Sequence, residues 1–107
     1  MENFNEKVYG LCKRIPKGRI TTYSEIGKKL NTKAYRAVGQ ALRNNPYAPL
    51  VPCHRVVSSS GNIHGFKGKL KGKAIKEKVD LLKKEGVEIK DDKVDLEKYL
   101  FKFLKKR

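Results

Sequence analysis

The sequence predicts a mainly α fold: a compact, winged-helix-like helix-turn-helix domain with a small β hairpin, or wing, at its side. Two short amphipathic segments, "TTYSEIGKKL" and "KAYRAVGQALR", flank a tight "NTK" connector, the layout of a helix-turn-helix. A short extended run over 50–57 follows. The turn residues "SSSGN" fold it back, so that 54–66 reads as a hairpin. The chain has 107 residues, the length of one domain, and its 38% hydrophobic content supports a single modest core.

Each element has its own signal. Phe4, Val8, Leu11 and Ile15 recur at helical spacing and predict a first helix over 3–14. Pro16 and Gly18 end it in a turn. Thr22, with Glu25 three positions on, makes the pattern of a capping box, and Tyr23, Ile26 and Leu30 share one face of a second helix. Thr32 is placed to cap a third helix over 33–43. Ala34, Ala37, Val38, Ala41 and Leu42 form its apolar stripe, opposite Arg36, Gln40 and Arg43, with Gly39 between them. Small residues let such a helix press its backbone against another surface; the plain alternative is a solvated basic face. The loop "NNPYAPLVP" delivers the extended run, and "KGKLKGK" reads as a basic loop. Ala74, Ile75, Val79, Leu81 and Leu82 give the inward face of a helix over 73–85, stopped by Gly86. Leu96, Tyr99, Leu100, Phe103 and Leu104 predict a last helix through "DKVDLEKYLFKFLKK". No repeat or internal boundary interrupts the order, so 1–107 reads as one domain.

Charge limits the partners. Lys and Arg number 26 against 11 Asp and Glu, a net charge of +15. Such a field attracts polyanions, nucleic acid first among them. A lysine-rich surface that only maintains solubility is the competing account. No apolar run approaches a membrane span and the N-terminus has no signal-peptide pattern. Cys12 and Cys53 have no CxxC partners, which fits free thiols in a reducing, intracellular (cytoplasmic) setting. Nothing calls for more than a monomer.

The chemistry concentrates in "VPCHRVV", where Cys53 adjoins His54 and Arg55. Three readings compete. A zinc site needs four ligands at paired spacings, and Cys53, His54 and His64 make a poor set. A buried inert thiol is the ordinary fate of a lone cysteine, and the natural reading of Cys12. A nucleophile needs a base and a group to orient that base; basic neighbours favour the reactive thiolate. His54 is the candidate base, acting through a water, and Glu77 and Glu85 are carboxylates placed on or near the 73–85 helix. Arg55 and the valines frame the motif. The lysines at 67, 69, 71, 73, 76 and 78 read equally as phosphate contacts or a solvated face.

The blocks "RITTYSEIG", "YRAVGQALRNNP", "PCHRVVSSSGNIHGF" and "LLKKEG" resemble the active-site domain of the O6-alkylguanine-DNA alkyltransferases, the methylated-DNA–protein-cysteine methyltransferases. The blocks fall in that family's order over about 4–86, and 87–107 extends them. The resemblance implies a winged-helix-like domain that binds duplex DNA in the minor groove and flips out an O6-alkylguanine. Cys53 then accepts the alkyl group irreversibly, in one turnover and without cofactor or metal. It implies His54 as base through a water and Glu85 as the carboxylate that orients it. Asn45 positions the cysteine loop. Tyr23 contacts phosphate and hydrogen-bonds the guanine. Arg36 fills the place of the flipped base. Thr22, Ala34, Ala37, Gly39, Gln40 and Arg43 lie toward DNA, and Pro52, Val56, Phe66 and Lys67 belong to the substrate pocket.

The chain also departs from the pattern. The first helix is predicted almost from Met1, so no N-terminal domain is expected ahead of it. Phe66 stands where many members have tyrosine, and Lys67 where some have serine. The segment after Gly68 is longer and more basic. These departures bear on substrate range. Short alkyltransferase-like proteins replace the cysteine and only bind lesions; this chain keeps Cys53, which favours transfer.

Overall fold

Helix α1 (Phe4–Lys13) starts at Asn3, whose side chain accepts from the Glu6 amide while the Glu6 carboxylate reaches back to the Asn3 amide. This capping box satisfies the helix's free N-terminal donors, and the helix then buries Val8, Tyr9, Leu11 and Cys12. The computed structural model describes residues 3–48, 50–63 and 72–103.

Strand β1 (Thr21–Thr22) runs directly into α2 (Tyr23–Lys29). Thr22 caps α2: its hydroxyl accepts from the Glu25 amide at 3.1 Å. The Glu25 carboxylate lies 3.7 Å from the Lys28 ammonium. A short connector leads to α3 (Tyr35–Arg43), which packs on both α1 and α2. Helix α3 begins two residues later than its sequence signals suggest. Thr32 is the reason: its hydroxyl accepts from the Ala34 amide at 3.0 Å and so caps the connector, leaving Ala34 in non-helical backbone. Val38, Ala41 and Leu42 are buried, while Arg36, Gln40 and Arg43 are exposed.

The extended run after the loop begins with a 3₁₀ turn, Cys53–Arg55, and becomes β2 (Val56–Val57). Its pairing differs from the predicted hairpin. Strand β2 pairs in parallel with β1, Thr21 beside Val56 and Thr22 beside Val57. All four residues are buried, and such a strand is completed by another core strand. The "SSSGN" turn does form: Gly61 has φ +86°, and the Ser58 amide donates to the Asn62 carbonyl at 3.1 Å. Asn62 then bridges antiparallel to Lys93. The rest of the wing, with His64, Phe66 and Lys67, lies outside the described residues.

Helix α4 (Lys73–Lys84) ends at Glu85 and Gly86, the latter at φ +90°. The predicted last helix is cut to one turn, α5 (Leu96–Tyr99). Beyond it the chain extends along Ile20: the Ile20 amide donates to the Tyr99 carbonyl at 3.0 Å, and the Phe101 amide to the Ile20 carbonyl at 2.7 Å. Arg19 donates to the carbonyls of Tyr99 and Leu100, and the Thr21 hydroxyl to that of Phe101. The backbone beside β1 offers these partners, and they override the helical spacing of Leu96, Leu100 and Phe103. The buried apolar residues gather in one cluster that includes Val8, Ile20, Ile26, Val38, Val56 and Leu82. Among the described residues, no helix is long and apolar enough to cross a membrane.

Candidate active site and nucleic-acid face

Cys53 is 7% exposed, at the start of the 3₁₀ turn. The Cys53 amide donates to the Val51 carbonyl at 2.8 Å and the Arg55 amide to that of Pro52 at 2.9 Å. Asn45 braces the preceding loop from inside: its side-chain amide donates to the Val51 carbonyl at 2.8 Å, and its side-chain oxygen accepts from the Tyr47 amide at 2.9 Å.

His54 is buried and its Nε2 lies 2.9 Å from Glu85 Oε2. Arg55 grips the same carboxylate with two donors, Nε to Oε1 at 2.8 Å and Nη2 to Oε2 at 2.7 Å. Its Nη1 donates to the Ile15 carbonyl at 2.8 Å, tying in the chain after α1. Burial pulls the Glu85 carboxyl upward, but hydrogen bonds from Arg55 and then His54, and their charges, hold it below the usual carboxylate range. Burial is also the main force on His54 and lowers it; Glu85 pushes back, and Arg55 and Lys78 add to the lowering. An ionised carboxylate only accepts, so Nε2 carries the proton toward Glu85 and Nδ1 keeps its lone pair. His54, next in sequence to Cys53, is thus held by Glu85 through Nε2.

Lys78 departs from both accounts of the basic segment. It is 1% exposed and its ammonium donates to the Val56 carbonyl at 2.8 Å. Burial lowers its pKa to about 8, against the opposing pull of a Cys53 thiolate. A cation is thereby held within electrostatic reach of the Cys53 sulfur. Its signal was present in the sequence: Ile75, Lys78 and Leu82 fall on one helical stripe, all buried. Arg55, read as framing, turns out to clamp Glu85; a two-pronged grip between residues thirty apart leaves no local pattern. Cys12 is fully buried, with its thiol pushed up chiefly by that burial.

The exposed face of α3 opens on a groove of about 740 Å³ lined by Tyr23, Arg36, Gly39, Gln40 and Arg43, with Ser58 and Ser59 opposite. Ser24 and Tyr35 also line it, and sequence reasoning had named neither for this face. Burial, then the charge of Cys53, raises the pKa of Tyr23, so its hydroxyl stays protonated and able to donate. Thr22 is not in the groove. It is buried, its hydroxyl occupied by the Glu25 amide and by Ser24 at 3.0 Å. Ala34 is exposed and Ala37 half-buried, neither of them lining the groove. Pro52 is buried, and Val56, expected in the pocket, is fully buried within β2. Among the described residues no group of three or more His, Cys, Asp or Glu gathers as a metal site.

A helix-turn-helix with a basic, glycine-containing groove, in one fold with a buried cysteine next in sequence to a His–carboxylate pair, defines a class: helix-turn-helix domains that also carry a cysteine site. Comparison with known proteins makes the class specific. Residues 3–87 match the model of the 6-O-methylguanine DNA methyltransferase DNA-binding domain, and the chain belongs to this family of DNA repair alkyltransferases. It is 46% identical over 84 residues to a methylated-DNA–protein-cysteine methyltransferase of Methanosarcina acetivorans, covering 78% of this chain and 51% of that one. The corresponding protein of Thermococcus kodakarensis is 45% identical over 85 residues, covering 78% and 45%. The chain thus spans about half the length of these curated relatives. Among solved structures, the O6-methylguanine-DNA methyltransferase of Pyrococcus kodakaraensis superposes with TM-score 0.68 at 42% identity, covering 81% of this chain and 48% of that one. S. pombe Atl1, in complex with damaged DNA containing O6-carboxymethylguanine, gives 0.76 at 32% identity and covers 95% and 99%.

Proposed function

We propose that this chain repairs DNA by direct reversal: it moves the alkyl group from O6 of a flipped-out guanine to the sulfur of Cys53, once. The observation that carries this reading is the His54–Glu85 pair, next in sequence to the buried Cys53, in which the carboxylate engages Nε2 and leaves Nδ1 to act as the base. A bridging water passes the thiol proton to Nδ1. The thiolate attacks the alkyl carbon, the S–C bond forms, and the C–O6 bond breaks with its electron pair going to the guanine. The imidazolium formed is stabilised by Glu85, which Arg55 keeps ionised and in place. The Tyr23 hydroxyl hydrogen-bonds the departing base. The thioether product has no route back, so each molecule acts once.

Duplex DNA is the partner. Unstacking a base costs a few kcal/mol, least for a damaged one, and Arg36 is placed to fill the gap. The minor groove, about 6 Å wide, suits a helix with Gly39 on its outer face. We further propose that 1–107 forms one DNA-binding and active-site domain.

One observation favours a second reading, lesion binding without transfer: the match to S. pombe Atl1 extends over 99% of that chain, whereas the methyltransferases match over about half. Incubation with an O6-methylguanine duplex followed by intact and peptide mass spectrometry separates the two. Transfer adds one methyl group to the peptide carrying Cys53, in one-to-one stoichiometry. Tight binding with no change of mass selects the second reading.

A further inference from the structure

The groove beside Arg36 holds an aromatic ring that the mechanism above does not use. Tyr35 opens α3 and is 39% exposed. The ring is nonetheless fixed. A Cβ built on Gly27 would fall 2.5 Å from Tyr35 Cε1 and 2.7 Å from Cδ1, so the ring rests directly on the α2 backbone, where glycine leaves room. The rest of the ring opens on the groove that Tyr23, Arg36, Gly39 and Gln40 line. No acidic side chain lines that groove among the described residues. A ring already held by packing loses little freedom when a ligand covers it. Aromatic faces stack on nucleotides whatever the base, because every base has a π-face.

We propose that Tyr35 is the aromatic contact of this groove: its exposed face packs on the sugar and base of the nucleotide beside the one Arg36 replaces, and so helps hold the opened duplex. This rests on the DNA reading above. It assigns the contact to the ring and not to the hydroxyl.

The test compares wild type, Tyr35→Phe and Tyr35→Leu for binding to a fluorescein-labelled unmodified duplex by anisotropy. Leucine keeps an apolar cover over Gly27 and removes the π-face; phenylalanine keeps both. Tyr35→Phe should bind within about twofold of wild type and Tyr35→Leu about 5- to 150-fold more weakly, the range of one lost stacking contact. Equal affinity of the two variants overturns the proposal, whether both match wild type or both fall. A second measurement does not depend on the leucine variant folding. With ¹³C-labelled tyrosine, the Tyr35 ring signal, identified by its loss in Tyr35→Phe, should shift when duplex is added to wild type; a signal unmoved at saturation also overturns the proposal. Failure of the transfer reading appears separately, as no mass gain on Cys53 while the duplex still binds.

Discussion

Arg55 and Lys78 place two cations around a site that carries one carboxylate, Glu85. Removing half of a buried ion pair strands the other charge, so Arg55→Met should lower stability by about 3 kcal/mol, read by urea denaturation. It should also move the NMR titration of His54 to higher pH, because a cation that lowers His54 is gone and Glu85 acts on the imidazole alone. A wild-type titration curve in the variant would remove Arg55 from the relay. Lys78 makes a signed prediction. Its folded pKa, about 8, lies below its ordinary 10.5, so between these values the unfolded chain binds more protons. Stability should therefore rise with pH across that window, by on the order of 3 kcal/mol in wild type relative to Lys78→Met. Parallel stability–pH curves for the two would contradict the buried, paired ammonium. On the reacting groups, Cys53→Ala should abolish transfer and keep duplex binding. Arg36→Ala should slow repair of duplex far more than reaction with free O6-benzylguanine, and equal losses on both would argue against base replacement.

The two helices that make the recognition unit show how local and distant signals divide. Thr22 as N-cap and the stripe of Val38, Ala41 and Leu42 are visible in the sequence because each acts within a few residues. Strand β1 is not: two threonines have no readable period, and their partners, Val56 and Val57, come thirty-five residues later. The missing length of the last helix has the same origin, since Leu96, Leu100 and Phe103 satisfy a helical pattern until the Ile20 backbone competes for the chain. For the site, residue types around Cys53 left nucleophile, ligand and inert thiol open, and the resemblance supplied Glu85. The geometry adds Arg55 and Lys78, which owe their positions to contacts across the fold. Two glycines make opposite predictions from one substitution. Helix propensity alone favours alanine by about 1 kcal/mol. At Gly39 a Cβ meets nothing within 4 Å, so Gly39→Ala should stabilise the fold while thickening the groove wall and weakening duplex binding. At Gly27 the same atom strikes the Tyr35 ring, so Gly27→Ala should cost about 1–3 kcal/mol instead, measurable by thermal melting.

Taken whole, the molecule is a cation with net charge +15. Binding that releases counterions from phosphates weakens steeply with salt. Raising salt from 50 to 200 mM should cut duplex affinity by at least about tenfold, with a linear log–log plot. A flat plot would make the excess lysine a solubility device. At the site the two buried cations differ: Arg55 is paired with the Glu85 carboxylate, whereas Lys78 bonds only a neutral carbonyl, that of Val56, and burial disfavours its charge.

The extended tail along Ile20 bears on how the protein is born. A ribosome releases the chain from its N-terminus, and early segments begin to fold while later ones are still being made. Ile20 and Thr21 take their hydrogen bonds from Tyr99 and Phe101, about eighty residues downstream. The strand that leads into α2 therefore waits, half-partnered, until Phe101 has been made. A nascent chain arrested before Phe101 should be open to protease at Arg19 and closed to it soon after release.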